Sequence, residues 1–172
     1  MGAFEQALPI ILREEGGFSN DPADPGGITN LGVTKRVWEA WTHNPASESD
    51  MRSLTVSQVA PLYRAQYWNA LDADSLPPAI ALCVFDFGVN AGVARAARLL
   101  QSMVGVLQDG HVGPNTGAAL NNWVSVHSIA EVVRQYQVAR VAFYKSLPTF
   151  SHFGAGWINR CTAIETAALK IC

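Results

Sequence analysis

Charge is scarce in this 172-residue chain: 15% of its residues are Asp, Glu, Lys or Arg, and the formal net charge is −2. No basic run occurs, which argues against nucleic acid as the main partner, because phosphate binding needs a basic surface. The same lack leaves no polycationic tail for disrupting membranes. Cysteine is scarce as well. Cys83, Cys161 and Cys172 are an odd number without metal-ligand spacing. Cys83 lies in an apolar run and reads as a small core residue. Cys161 and Cys172 stand about three helical turns apart, too far for a direct disulfide along a continuous helix. Free thiols are expected, as in a chain made in a reducing compartment. The histidines are few and scattered: His43, His127 and His152 are isolated, and His111 reads as an exposed turn residue. No zinc constellation forms, and neither metal nor cofactor is expected. No apolar run reaches membrane-spanning length. The N-terminus lacks a basic leader, and Glu5, Arg13, Glu14 and Glu15 interrupt its apolar stretch, so no signal peptide is readable. Cytoplasmic synthesis of a soluble chain without stable membrane insertion follows as the expectation.

The chain does have apolar residues in quantity, 49% of the total, enough for one domain with a real core. It also has one stretch of unusual composition. From Glu14 to Thr34, EEGGFSNDPADPGGITNLGVT, four carboxylates, five glycines, two prolines and two threonines suit a tightly folded loop better than a regular element. The preceding helix fixes where that loop begins. Phe4, Leu8 and Ile11 recur at helical spacing, Leu12 joins them, and Glu15 falls on the same stripe, whereas Glu14 lies roughly 100° away. Glu15 should therefore point where the core points. A carboxyl at the end of an apolar stripe is partly desolvated, which favours its neutral, proton-donating form. Gly16 and Gly17 then stop the helix. Beyond them Asp24 and Thr29 supply a second carboxylate and a hydroxyl. Two carboxyl groups across a cleft are what glycosidic hydrolysis needs, one protonating the leaving oxygen and the other stabilising charge or activating water. A calcium loop at Asn20 to Asp24 fails, because Ala23 and Pro25 interrupt the alternating oxygen ligands.

The pattern E-G-G-F-S-N-D-P-x-D-P-G-G-x-T-N-x-G-V-T, from Glu15 to Thr34, resembles the N-terminal signature of glycoside hydrolase family 108, the phage endolysin and secretion-activator muramidases. The resemblance implies Glu15 as catalytic acid. Asp24 and Thr29 resemble the Asp and Thr of the Glu-Asp-Thr triad in phage-type lysozymes, although the gap between them is one residue shorter here. F-D-F-G-V-N-A-G, from Phe85 to Gly92, resembles the second motif of the same family. The run from Leu100 to Thr116 is similar to a small helical module described as peptidoglycan-binding, and G-W-I-N-R, ending at Arg160, again resembles the family.

The rest of the chain reads almost entirely as helix. Lys35 to Trp41 is capped by Thr34, and His43 to Asp50 is a polar linker. Thr55 and Gln58 form a capping box, and Pro61 should kink or restart the helix that follows. Among the aromatics after Pro61, Trp68 reads as core and Tyr67 as a candidate for lining a sugar cleft. Leu71 to Pro78, with two acids and two prolines, is expected to separate two lobes, residues 1–78 and 79–172. Ala79 to Ala91 is apolar nearly all round and so buried all round. It nevertheless carries Asp86 and Asn90 on one face, positioned to bond each other or to meet substrate. Arg95 to Val104 is a further helix. Ser128 and Glu131 make another capping box, opening a stripe of Ile129, Val132, Tyr136, Ala139, Phe143 and Leu147 that ends at Pro148. A last helix follows Gly154-Ala155-Gly156, with Trp157, Cys161, Ile164, Ala168 and Ile171 inward.

These readings give a mainly α, lysozyme-like two-lobed helical domain with at most a small β-hairpin in the loop after Gly17, formed from Phe18, Ile28 and Val33. With the resemblance they imply a monomeric N-acetylmuramidase cutting peptidoglycan glycan strands. Glu15, Asp24 and Thr29 would be catalytic, and Tyr67, Asp86 and Asn90 would bind substrate. An endolysin made in the cytoplasm would reach the periplasmic wall through a holin or another export route. The alternatives are a lytic transglycosylase working with a single Glu, and a non-catalytic glycan-binding module.

Overall fold

The computed structural model describes residues 2–20 and 27–172. It is mainly α. Helix α1 (Ala3–Glu15) leads into a two-stranded antiparallel hairpin, β1 (Thr29–Asn30) and β2 (Val33–Thr34), with Thr29 opposite Thr34 and Asn30 opposite Val33. Ser19 extends this pairing by exchanging backbone hydrogen bonds with Thr29. Val33 is thus a strand residue, while Phe18 and Ile28 flank the pairing. Among the described residues eight α-helices follow: α2 (Lys35–Thr42), α3 (Glu48–Arg52), α4 (Val56–Tyr63), α5 (Pro78–Ala91), α6 (Val93–Val104), α7 (Pro114–Val126), α8 (Ile129–Lys145) and α9 (Phe150–Leu169).

Helix α5 organises the core. Ten consecutive residues from Ala79 to Gly88 are buried on it, as a helix apolar on all sides requires. It packs against α1 and against α6, α8 and α9. Gly88 is small for a reason: a Cβ there would lie 2.8 Å from Leu71 Cδ1. Phe4 of α1, Trp68 and Phe85 of α5 meet edge to face or tilted, with centroids 5.2 to 6.0 Å apart. Trp68 is fully buried, and its indole N–H donates to Asp74 at 2.8 Å.

The capping motifs act as their spacing predicts. Thr34 accepts from the Val37 N–H, and complete capping boxes form at Thr55–Gln58 and Ser128–Glu131. Three expectations are corrected. The linker after His43 is shorter than its polarity suggests, because Ser47 and Asp50 form a third capping box and start α3, which Met51 anchors in the core. Pro61 does not restart its helix; the chain stays helical through it and widens into a π-helical turn at Arg64–Trp68. At the expected boundary between lobes, two short 3-10 turns, Asn69–Leu71 and Ala73–Ser75, bury Leu71 and Ala73, and Leu76 is buried after them. Helix α9 starts at Phe150 and runs through Gly154 and Gly156, since tertiary packing overrides the weak propensity of glycine.

Helix α8 is also turned from its expected face. Its buried side is Val132, Val133, Tyr136, Gln137, Arg140 and Tyr144, so one amide, Gln137, and one charge, Arg140, enter the core. Cys83 and Cys161 are buried free thiols and Cys172 is exposed.

Candidate active site

Helix α1 delivers Glu15 to the site. Phe4, Ala7, Leu8, Ile11 and Leu12 are buried, Glu14 is exposed, and the Glu15 side chain is 19% exposed, as the phase of the stripe predicts. Gly16 ends the helix at φ 80° and ψ 179°, a positive-φ conformation that favours glycine and sends the chain out extended.

The hairpin then closes over Glu15. Its two-residue turn, Leu31 and Gly32, has φ of 50° and 71°, the positive values such tight turns require. The Leu31 carbonyl accepts a 2.9 Å hydrogen bond from Tyr63 Oη, which pins the turn to α4. A Cβ on Gly32 would lie 2.5 Å from that Tyr63 oxygen and 2.9 Å from Glu15 Cγ. Only a glycine lets the turn come this close. The Tyr63 and Tyr67 rings stand 5.6 Å apart. Both phenols are raised above their ordinary range, first by burial and then by the negative charge of Glu15. Tyr67 is half-buried, and its ring lies beside that of Tyr63, whose hydroxyl reaches the turn that closes over Glu15.

The partner of Glu15 comes from the far end of the chain. Arg160 Nη2 donates to Glu15 Oε1 at 2.5 Å and to Asp86 Oδ1 at 2.7 Å, while Arg160 Nε spans both Asp86 oxygens at 3.1 Å. Asp86 is fully buried, and Arg140 Nη1, equally buried, lies 2.6 Å from Asp86 Oδ2. Arg140 also donates through Nε and Nη2 to Tyr144 Oη, at 3.3 and 3.1 Å, and Tyr144 Oη donates to Asn90 Oδ1. One polar chain thus runs from Glu15 through Arg160, Asp86, Arg140 and Tyr144 to Asn90. Asp86 stands between the two arginines as their shared buried counter-charge, the kind of pairing that ions inside a core require. Burial opposes the charge on both arginines, but Asp86 together with Tyr144 and Cys161 at Arg140, and with Glu15 at Arg160, outweighs it, and both are held more basic than usual.

Two sequence readings change here. Asp86 and Asn90 do not bond each other. Asp86 takes two guanidinium groups, and Asn90, exposed at the end of α5, takes Tyr144. Asp86 reaches the site only through Arg160, because its own oxygens are buried. Thr29 lies on β1, its hydroxyl donating to the Gly27 carbonyl at 3.3 Å, and Asp24 lies outside the described residues.

Sequence reading assigned no role to Arg160, Arg140, Tyr63 or Gly32. One signal for the arginines was available. Arg140 lies four residues from both Tyr136 and Tyr144, and Arg160 lies three after Trp157 and four before Ile164. Arginine on a buried stripe implies a buried carboxylate.

A family model described as Glycosyl hydrolase 108 matches residues 8–92, which carry Glu15, the hairpin and Asp86. The structure of Brucella abortus SagA aligns over 98% of this chain and 94% of that one, with 37% identity and a TM-score of 0.81. The chain belongs to glycosyl hydrolase family 108. A second model, described as a Predicted Peptidoglycan domain, matches residues 95–162. No curated protein matches the chain. This family 108 member is therefore a glycoside hydrolase that degrades peptidoglycan, with the lysozyme-like fold expected from its sequence. Its two matched segments share one site, since Arg160 of the second holds Glu15 of the first. Among the described residues no cluster of His, Cys, Asp and Glu suits a metal ion.

Proposed function

We propose that the protein is an N-acetylmuramidase that hydrolyses the β-1,4 bond between N-acetylmuramic acid and N-acetylglucosamine, with Glu15 as general acid. The observation that carries this reading is the grip of Arg160 on Glu15. Arg160 holds Oε1 of a carboxyl that is still 19% exposed, so the acid is oriented and reachable at once. A general acid needs that fixed direction as much as it needs the proton. Asp24 is the proposed second carboxylate and Thr29 the group that holds water, on the strength of the motif they belong to. Tyr67 and Asn90 are proposed to touch substrate, and Asp86 to act on it through Arg160.

The reading extends to a phage or prophage endolysin, monomeric, made in the cytoplasm and released to the wall through a holin or another export route. Among the described residues no helix is long and apolar enough to cross a membrane. A holin-like gene beside this one would support that role.

Clearing of purified peptidoglycan, with mass spectrometry of the released ends, tests the chemistry. Reducing muramic acid ends are expected. Anhydro ends would replace hydrolysis by lytic transglycosylation, and binding without clearing would overturn the enzymatic reading.

A further inference from the structure

On α9 the residues Phe153, Trp157 and Arg160 share one stripe at i, i+4 and i+7 spacing. Arg160 holds Glu15, so Trp157 and Phe153 lie about 4.5 and 10.5 Å back along the helix axis from that point, at 1.5 Å per residue. Trp157 is half-buried and stacks on Tyr144, with centroids 4.9 Å apart and planes 17° off parallel. Phe153 is 51% exposed, its ring 5.8 Å from that of Trp157. An apolar platform therefore leaves the site along α9.

Beside this platform stands Asn90, whose orientation is settled by its neighbours. Arg140 has only donors, so Tyr144 Oη must accept from it and spend its own proton on Asn90. The atom of Asn90 facing Tyr144 is then its oxygen, which leaves the amide NH2 to donate outward from an exposed position.

We infer that Phe153, Trp157 and Asn90 form a saccharide subsite for an N-acetylhexosamine ring of the same glycan strand, adjoining the bond attacked at Glu15. The aromatic platform takes the C–H face of the ring, and the Asn90 NH2 donates to the acetamido carbonyl. This inference rests on the muramidase reading above.

The test uses peptide-free glycan strands, intact or N-deacetylated. Binding is measured in the Glu15→Gln background and cleavage in the otherwise native enzyme. Phe153→Ala, at a half-exposed position, is expected to weaken binding of intact strands by about three- to tenfold, the range of an aromatic contact, and to raise KM while leaving kcat within about twofold. Asn90→Asp keeps the oxygen that Tyr144 meets and removes the NH2, so it should abolish the preference for acetylated strands. Trp157→Phe keeps a ring for Tyr144 and should weaken binding less than Phe153→Ala. Wild-type cleavage with unchanged binding and KM in both Phe153→Ala and Asn90→Asp would overturn the subsite and leave the muramidase reading standing. Absence of cleavage, with the variant effects on binding intact, would overturn the muramidase reading and leave the subsite. Loss of a solution dimer in Phe153→Ala with unchanged glycan binding would reassign the platform to self-association and overturn the subsite.

Discussion

Gly32 lies against the flank of Glu15 so closely that a methyl group on it would stand 2.9 Å from Glu15 Cγ. Gly32→Ala adds that methyl and forces a φ of 71° on a residue with a Cβ. The backbone conformation alone costs roughly 1–3 kcal/mol. A lower denaturation midpoint together with a fall in kcat is the expected outcome. A stable variant with normal kcat would show that the turn does not set the position of the carboxyl.

Glu15→Gln retains an oxygen for Arg160 but has no proton to transfer. Activity should fall by roughly 10²- to 10⁴-fold, the worth of general acid catalysis, with the melting temperature little changed. Glu14→Gln, on the exposed face, should be near neutral. A reversal of the two results would sink the assignment.

Arg160→Lys replaces a fork with a point charge, and a single ammonium cannot span both Asp86 oxygens while holding Glu15. Misplacement of the acid by about 1 Å is worth on the order of 10²-fold, so kcat should drop by up to that amount with KM little changed. An unchanged kcat would mean that Glu15 is oriented without Arg160.

Asp86→Asn strips the negative charge from between two buried guanidinium groups. Breaking a buried ion pair from one side costs about 3–5 kcal/mol, to be read as a shift in chemical denaturation. A loss below about 1 kcal/mol would indicate that the arginines find other partners. Activity should fall too, because Arg160 loses its anchor.

Thiol labelling of the native protein should modify Cys172 quickly and spare the other two. Burial pushes the Cys83 thiol up to about 12, and it raises Cys161 as well, so both stay protonated and poorly nucleophilic at neutral pH. Rapid labelling of Cys83 below the unfolding transition would contradict the burial of α5.

Local periodicity made half of this site legible. The phase shared by Phe4, Leu8 and Ile11 located Glu15, and the apolar circumference of α5 predicted its burial. The serine and threonine caps with Gln58 and Glu131 placed helix starts. The same rule would have found α3 from Ser47 and Asp50, had an acid at the third position been weighed against the polarity around it. What stayed hidden is the pairing of charges across the fold. Nothing near Asp86 in sequence reveals that its partners are Arg140 and Arg160, because that choice is made by how α5, α8 and α9 pack. An Asp86–Asn90 bond, one of the alternatives open on that helix face, is a local solution to what the structure solves at long range. Glycine at position 32 was legible as a turn residue, but its contact with Glu15 was not.

Glu15 and Arg160 are 145 residues apart in the chain. Translation therefore delivers the motif-bearing helix long before the guanidinium that steadies its carboxyl. A nascent chain still short of α9 already displays every residue of the N-terminal hydrolase motif, yet lacks the guanidinium that holds Glu15. The same applies to a truncated product ending near residue 92, where the hydrolase match stops. The contact proposed to orient the acid arrives with α9 rather than with the motif.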